Sequence, residues 1–202
     1  MLFLAKLEAF LDRLVTFAGK VGAWVTIPLI IIIIFDVVTR RFLVLGSTKL
    51  QEGEWHLHAI IFLLCIGFAY TKDAHVRIDL LRERFSERTR NWIEFIGCLV
   101  ALIPYCLIIL YFSTDFIERS WSVNEMSDSA TGLPYRWAIK SFLPIGFFFM
   151  LLAGIVITLR KFIELFGPPD LKDRMAREET AEAVPPLKDI DFNSDNSGRG
   201  KS

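Results

Sequence analysis

The chemistry-bearing residues of this chain gather in a few places. The stretch "LQEGEWHLHAIIFLL" sets Glu52, Glu54, His56 and His58 at the lip of a long apolar run, and "AHVRID" sets His75, Arg77 and Asp79 beyond its far end. Carboxylate and imidazole are common zinc ligands, and paired imidazoles hold haem. Spacing argues against both. At about 100° per residue His56 and His58 point about 200° apart, while Glu52 shares a face with His56 and Glu54 with His58. Two opposite faces cannot close on one ion, and bis-histidine haem needs imidazoles from two helices at matching depth. No metal site and no cofactor is expected.

A proton or ion relay would need ionisable groups inside the apolar runs, where they are expensive and therefore informative. The runs are nearly empty of them. Asp36 sits near one end and can pair with Arg40 at i+4. Cys65, Cys98 and Cys106 lie in apolar stretches with no zinc-like spacing and read as packing residues. Nothing resembles a nucleophile with its base, a phosphate-cradling glycine loop or a pair of hydrolytic carboxylates. No catalytic residue is expected, and the chain is not expected to be an enzyme.

The elements that must position these residues are membrane spans. With 202 residues, 18 Phe and a mean hydropathy of +0.43, the composition is too apolar for an ordinary soluble domain. A formal net charge of zero gives no basic field for nucleic acid. Four apolar runs are each long enough to cross a hydrocarbon core of about 30 Å, over about 21–38, 52–70, 92–112 and 137–159. Pro104 falls inside the third, which spanning helices tolerate when neighbours satisfy the freed carbonyl. Gly146 and Gly154 lie eight apart in the fourth and permit close helix contact.

Lysines and arginines crowd the termini and the connection 71–91, and are sparse in the loops 39–54 and 113–136. By the positive-inside rule both termini are cytoplasmic. Residues 1–20 place Phe3, Leu7, Phe10, Leu11, Leu14 and Phe17 at helical spacing, with Lys6, Glu8, Asp12 and Arg13 elsewhere on the wheel. That pattern reads as an amphipathic helix lying on the membrane lipid. Ser86 followed by Glu87 marks a helix start. The tail 167–202 breaks the last helix with Gly and Pro and then lacks apolar periodicity, which reads as disorder. The fold expected is an all-α membrane protein of four spans over 21–166, splayed rather than tightly closed.

The segments "LQEGEWHLHAIIFLL", "YTKDAHVRIDLL", "FSERTRNWIEFIG" and "TGLPYRWAIKSFLPIGFFF" together resemble the small membrane subunit of tripartite ATP-independent periplasmic (TRAP) transporters, the DctQ-like family. The most specific pieces are the Trp-His-Leu-His run preceded by Glu52, the Ala74–Asp79 sequence, and Gly132-Leu133-Pro134 before Lys140. Gly53 departs from the pattern, since relatives tend to carry a larger apolar residue there. The resemblance implies a bacterial inner-membrane subunit without catalysis. It also implies a large membrane subunit that carries the substrate and sodium sites, and a periplasmic solute-binding receptor that delivers an organic acid or related solute. Under it, Glu52, Glu54, His56 and His58 form an outer docking edge, and His75, Arg77 and Asp79 an inner one. Gly146, Phe149 and Gly154 are candidate partner-facing residues. An independent four-helix electron carrier and an assembly factor are the alternative readings.

Overall fold

The computed structural model describes residues 1–43, 46–72, 74, 85–129 and 131–169. Helix α1 is Leu2–Trp24, α2 Thr26–Phe42, α3 Thr48–Thr71, α4 Glu87–Gly97, α5 Ile103–Ser122 and α6 Arg136–Phe166, with a π-helical segment Cys98–Leu102 joining α4 to α5. No strand occurs among the described residues. Four rods long and apolar enough to cross a membrane result: Leu2–Phe42, Thr48–Thr71, Glu87–Ser122 and Arg136–Phe166.

Proline sets the irregularities. Pro28 has no amide to offer the Trp24 carbonyl, and the break between α1 and α2 falls at Val25, one turn before it. Pro104 follows the π segment, where the helix widens and the Ile103 amide reaches back to the Cys98 carbonyl. The third rod therefore runs from Glu87 through the proline to Ser122, beyond the limits 92–112 expected from hydropathy. At its start the Ser86 Oγ accepts from the Thr89 amide at 3.3 Å, the cap that Ser86-Glu87 indicated.

Helix α3 begins at Thr48, four residues before the expected start, and passes through Gly53 unbroken. Helix α6 forms the centre. It packs on α1, α3, α4, the π segment and α5, and supplies Ala153, Val156, Ile157 and Ile163 to the buried core. By contrast α2 touches mainly α3 and buries only Leu29 and Asp36. The bundle is splayed along that edge.

Helix α1 runs past residue 20 to Trp24. Its apolar ridge of Phe3, Phe10, Phe17 and Trp24 is more than half exposed. The face turned inward carries Glu8, Asp12, Val15, Ala18, Gly19 and Gly22. The helix is inside out by the standard of a water-soluble protein because hydrocarbon, unlike water, accepts large side chains without cost. Small residues let it approach α3: a Cβ on Gly22 would stand 2.8 Å from the Cys65 Sγ, and one on Gly19 would collide with the Phe68 side chain.

The α3–α6 crossing is equally close, since a Cβ on Gly67 would stand 2.8 Å from the Phe149 carbonyl oxygen, a backbone atom that cannot swing aside. Gly67→Leu is therefore expected to cost about 1–3 kcal/mol by overpacking. Gly53→Ala, where an added Cβ meets nothing within 4 Å, is expected to be neutral or stabilising by up to about 1 kcal/mol. Thermal unfolding of both variants in mild detergent checks the contrast.

Candidate functional site

Two polar assemblies mark opposite ends of the bundle. The first is built where the first turn of α3 meets the connection between α5 and α6. Glu52 turns its carboxylate into that connection: Oε2 accepts from the Leu133 amide at 2.6 Å and Oε1 from the Ser127 hydroxyl. The Ser127 amide donates to the Leu133 carbonyl at 3.2 Å, and the Thr131 hydroxyl meets that of Thr48 at 3.2 Å. Gly132 is required by this packing, since a Cβ there would collide with Ser127 and stand 2.7 Å from Glu52 Oε1. The Gly132-Leu133-Pro134 segment and Glu52, far apart in sequence, are thus direct partners.

A second layer secures the same connection. Glu125 takes an ion pair from Lys140, and Arg136 lies 3.9 Å from Glu125 and 3.5 Å from Asp128. The hydrogen bond from the Lys140 ammonium holds the Glu125 carboxyl below the usual carboxylate range. Lys140 also stands 4.2 Å above the Phe116 ring, and Trp121 packs edge-on to Trp137 at 4.5 Å. Asn124 and Tyr135, at the ends of the connection, take positive φ of 46° and 63°. A tyrosine in the left-handed region is strained, and the contacts on either side hold it there.

The four residues expected as an outer docking edge divide between two faces, as their spacing requires. Glu52 and His56 face the connection, whereas Glu54 and His58 lie on the other face, where the His58 Nδ1 donates to the Glu54 carbonyl at 2.9 Å. Among the described residues no three His, Cys, Asp or Glu side chains converge as a metal-ligand set.

The other assembly was hidden in the sequence. Arg160 of α6 donates from Nε and Nη2 to Glu8 Oε1 at 3.0 and 2.7 Å and lies 3.7 Å from Asp12 Oδ1. Lys72, at the end of α3, reaches Asp12 Oδ2 at 3.4 Å. Glu8 and Asp12 are 6% and 8% exposed. Two anions from α1 are thus matched by two cations from α3 and α6, and α1 is tied to the bundle. The signal available in the sequence was the run 8, 12, 15, 18, 19, 22, which places both carboxylates on the same face as Ala18, Gly19 and Gly22. Beside this cluster Lys161 pairs with Glu94 at 3.5 Å and Glu164 at 2.9 Å, and Trp92, Phe95, Phe162 and Phe166 interlock.

Of the small residues expected to face a partner, Gly146 meets α3, where a Cβ would stand 2.7 Å from the Leu63 Cβ. Gly154 meets the π segment, with Leu102 Cδ2 at 3.0 Å from the same construction. They serve different neighbours within the chain. Phe149 presents its backbone to Gly67 and its ring to Phe148 at 5.8 Å. His75, Arg77 and Asp79 lie outside the described residues.

An all-helical chain with four membrane-length rods and an ion-pair cluster at each end is built as a multi-pass membrane component. Residues 29–164 match the family described as "Tripartite ATP-independent periplasmic transporters, DctQ component". The chain belongs to this family, whose members are transporter components that work with a large membrane subunit and a periplasmic receptor. The chain matches no curated protein at a significant level.

Two substitutions test the assemblies. Glu52→Gln keeps the shape but removes the charge behind both hydrogen bonds, worth about 1.5–3 kcal/mol for a charged acceptor. Amide exchange at Leu133 is expected to accelerate by about tenfold or more. Hydrogen exchange read by mass spectrometry checks this. At the other end Arg160→Met takes the guanidinium from Glu8, leaves Asp12 to Lys72 alone, and is expected to cost about 3–5 kcal/mol. Arg160→Lys keeps the charge but cannot place two nitrogens on Glu8 Oε1, and is expected to fall between the two in thermal unfolding.

Proposed function

We propose that this chain is the scaffold subunit of a sodium-driven, receptor-dependent transporter of an organic acid or related solute, bracing the large membrane subunit while that subunit moves substrate. Both termini lie in the cytoplasm under this reading, because lysine and arginine concentrate on their side of the membrane.

The observation that carries the scaffold role is how the chain disposes of its polar groups. The Glu52 and Arg160 assemblies turn carboxylates inward, while the α1–α2 rod presents large apolar side chains along nearly its whole length. Such a surface suits lipid or another membrane protein and offers no route for an ion or a solute. Glu52 acts as a positioning residue for the 123–135 connection. That connection exposes Val123, Met126 and Tyr135, and is the proposed outer docking surface together with His56 and His58. His75, Arg77 and Asp79 form the proposed inner edge, and Phe149, with the outward neighbours of Gly146 and Gly154 on α6, a further contact.

The test is to tag the chain, co-express it with the large subunit and receptor of its own transport system, purify from membranes in mild detergent, and reconstitute. Recovery of the large subunit at equal stoichiometry, and sodium-dependent, receptor-dependent uptake that is lost when this chain is omitted, are expected. Uptake that survives its omission would overturn the scaffold reading in favour of an assembly role, and a haem absorption band in the purified chain would favour an electron carrier. Within the assembled transporter Glu52→Ala is expected to lower uptake severalfold.

A further inference from the structure

The splay of α2 from α3 leaves a cleft of about 540 Å³ at the end of the bundle near the 123–135 connection. Its lower wall is apolar, formed by Ile33, Val37 and Trp55. Its rim is polar and of mixed sign, with Arg40, Arg41, Gln51 and Glu54. Trp55 is largely exposed, and an indole favours the boundary between headgroups and hydrocarbon.

The charges on this rim are not matched to one another. Arg40 pairs with Asp36 one turn below. Arg41 and the Glu54 carboxylate have no ion pair or side-chain hydrogen bond among the described residues, although both line the same cleft. Asp36, which also lines it, is only 3% exposed, and its Oδ1 has no hydrogen-bond partner among the described residues. A buried carboxylate oxygen without a donor is costly. The missing complement is a small group that carries an anion for Arg41 and a hydrogen-bonding cation for Glu54 and Asp36, attached to an apolar chain for the lower wall.

We propose that the α2–α3 cleft binds one zwitterionic phospholipid with a primary ammonium, of the phosphatidylethanolamine class. The phosphate lies on Arg41, the ammonium on Glu54 and the Asp36 side of the cleft, and an acyl chain runs along Ile33 and Val37. An anionic lipid would satisfy Arg41 but bring no cation to Glu54 or to Asp36 Oδ1. A quaternary ammonium has the charge but no N–H to give a carboxylate oxygen. The lipid would fill the splay that the chain itself leaves open, and Glu54 would serve it rather than a protein partner. Among the conclusions above, the proposal rests only on the cleft's lying in a membrane.

The experiment is native mass spectrometry of the full chain, alone and in complex with its large subunit, after delipidation and titration with phosphatidylethanolamine, phosphatidylcholine or phosphatidylglycerol of matched chains. One phosphatidylethanolamine is expected to be retained in both samples, with roughly tenfold weaker retention of the other two lipids. Arg41→Gln and Glu54→Gln, at exposed or half-exposed rim positions, are each expected to lower that retention by roughly tenfold with an unchanged melting temperature. Equal retention of the three lipids, or retention unaffected by either substitution, would overturn the proposal. So would loss of the lipid whenever the large subunit is present, which would assign the cleft to a helix of that subunit. Lipid retention is read without transport, so its failure is separable from failure of the scaffold role, which is read by uptake.

Discussion

Hydrocarbon supplies no hydrogen bonds, so a charge carried into a membrane protein must meet its partner within the fold. The arrangement of α1 follows from this constraint. Glu8 and Asp12 would be stranded if the helix lay with its phenylalanines against the bundle. Rotated the other way, the helix delivers both carboxylates to Arg160 and Lys72 and gives its aromatic ridge to the apolar surroundings. The same rotation brings Gly19 and Gly22 against α3, so charge matching and close backbone packing select one orientation.

The opposite end uses the same chemistry to fix a connection rather than a helix. Backbone amides in an irregular segment near the membrane need acceptors, and Glu52 supplies one to Leu133 from the first turn of α3. The connection is held from the other side by the Glu125, Lys140 and Arg136 group. The charged residues of these two assemblies are thereby employed inside the chain, and much of the surface between them is apolar. The α1–α2 rod in particular keeps a long row of exposed apolar side chains.

Rigid and open regions divide along the same lines. Helix α6 is packed on nearly all sides and meets glycines or small residues at its closest crossings, whereas α2 is held mainly by α3. That asymmetry creates both the lipid-like outer face and the cleft beneath Arg40 and Arg41. It also separates the strained Tyr135, clamped by its neighbours, from the exposed side chains of the same connection that are free to meet another protein.

The sequence alone determined the solvent, the helical class and the number of crossings, because apolar length is a local property that hydrocarbon thickness reads directly. It also placed His56 and His58 on different faces of one helix, since helical spacing is fixed, and marked Ser86 as the start of a helix. Family membership was legible in short segments whose order and spacing are specific. Only the tertiary structure decided which way α1 faces, because periodicity marks two faces and does not say which of them meets hydrocarbon. Likewise it alone paired Glu52 with Leu133 and Arg160 with Glu8, contacts that span 81 and 152 residues and leave no periodic trace. The glycines followed the same rule: Gly146 and Gly154 announced close approach, but which neighbour approaches is a property of how the helices cross.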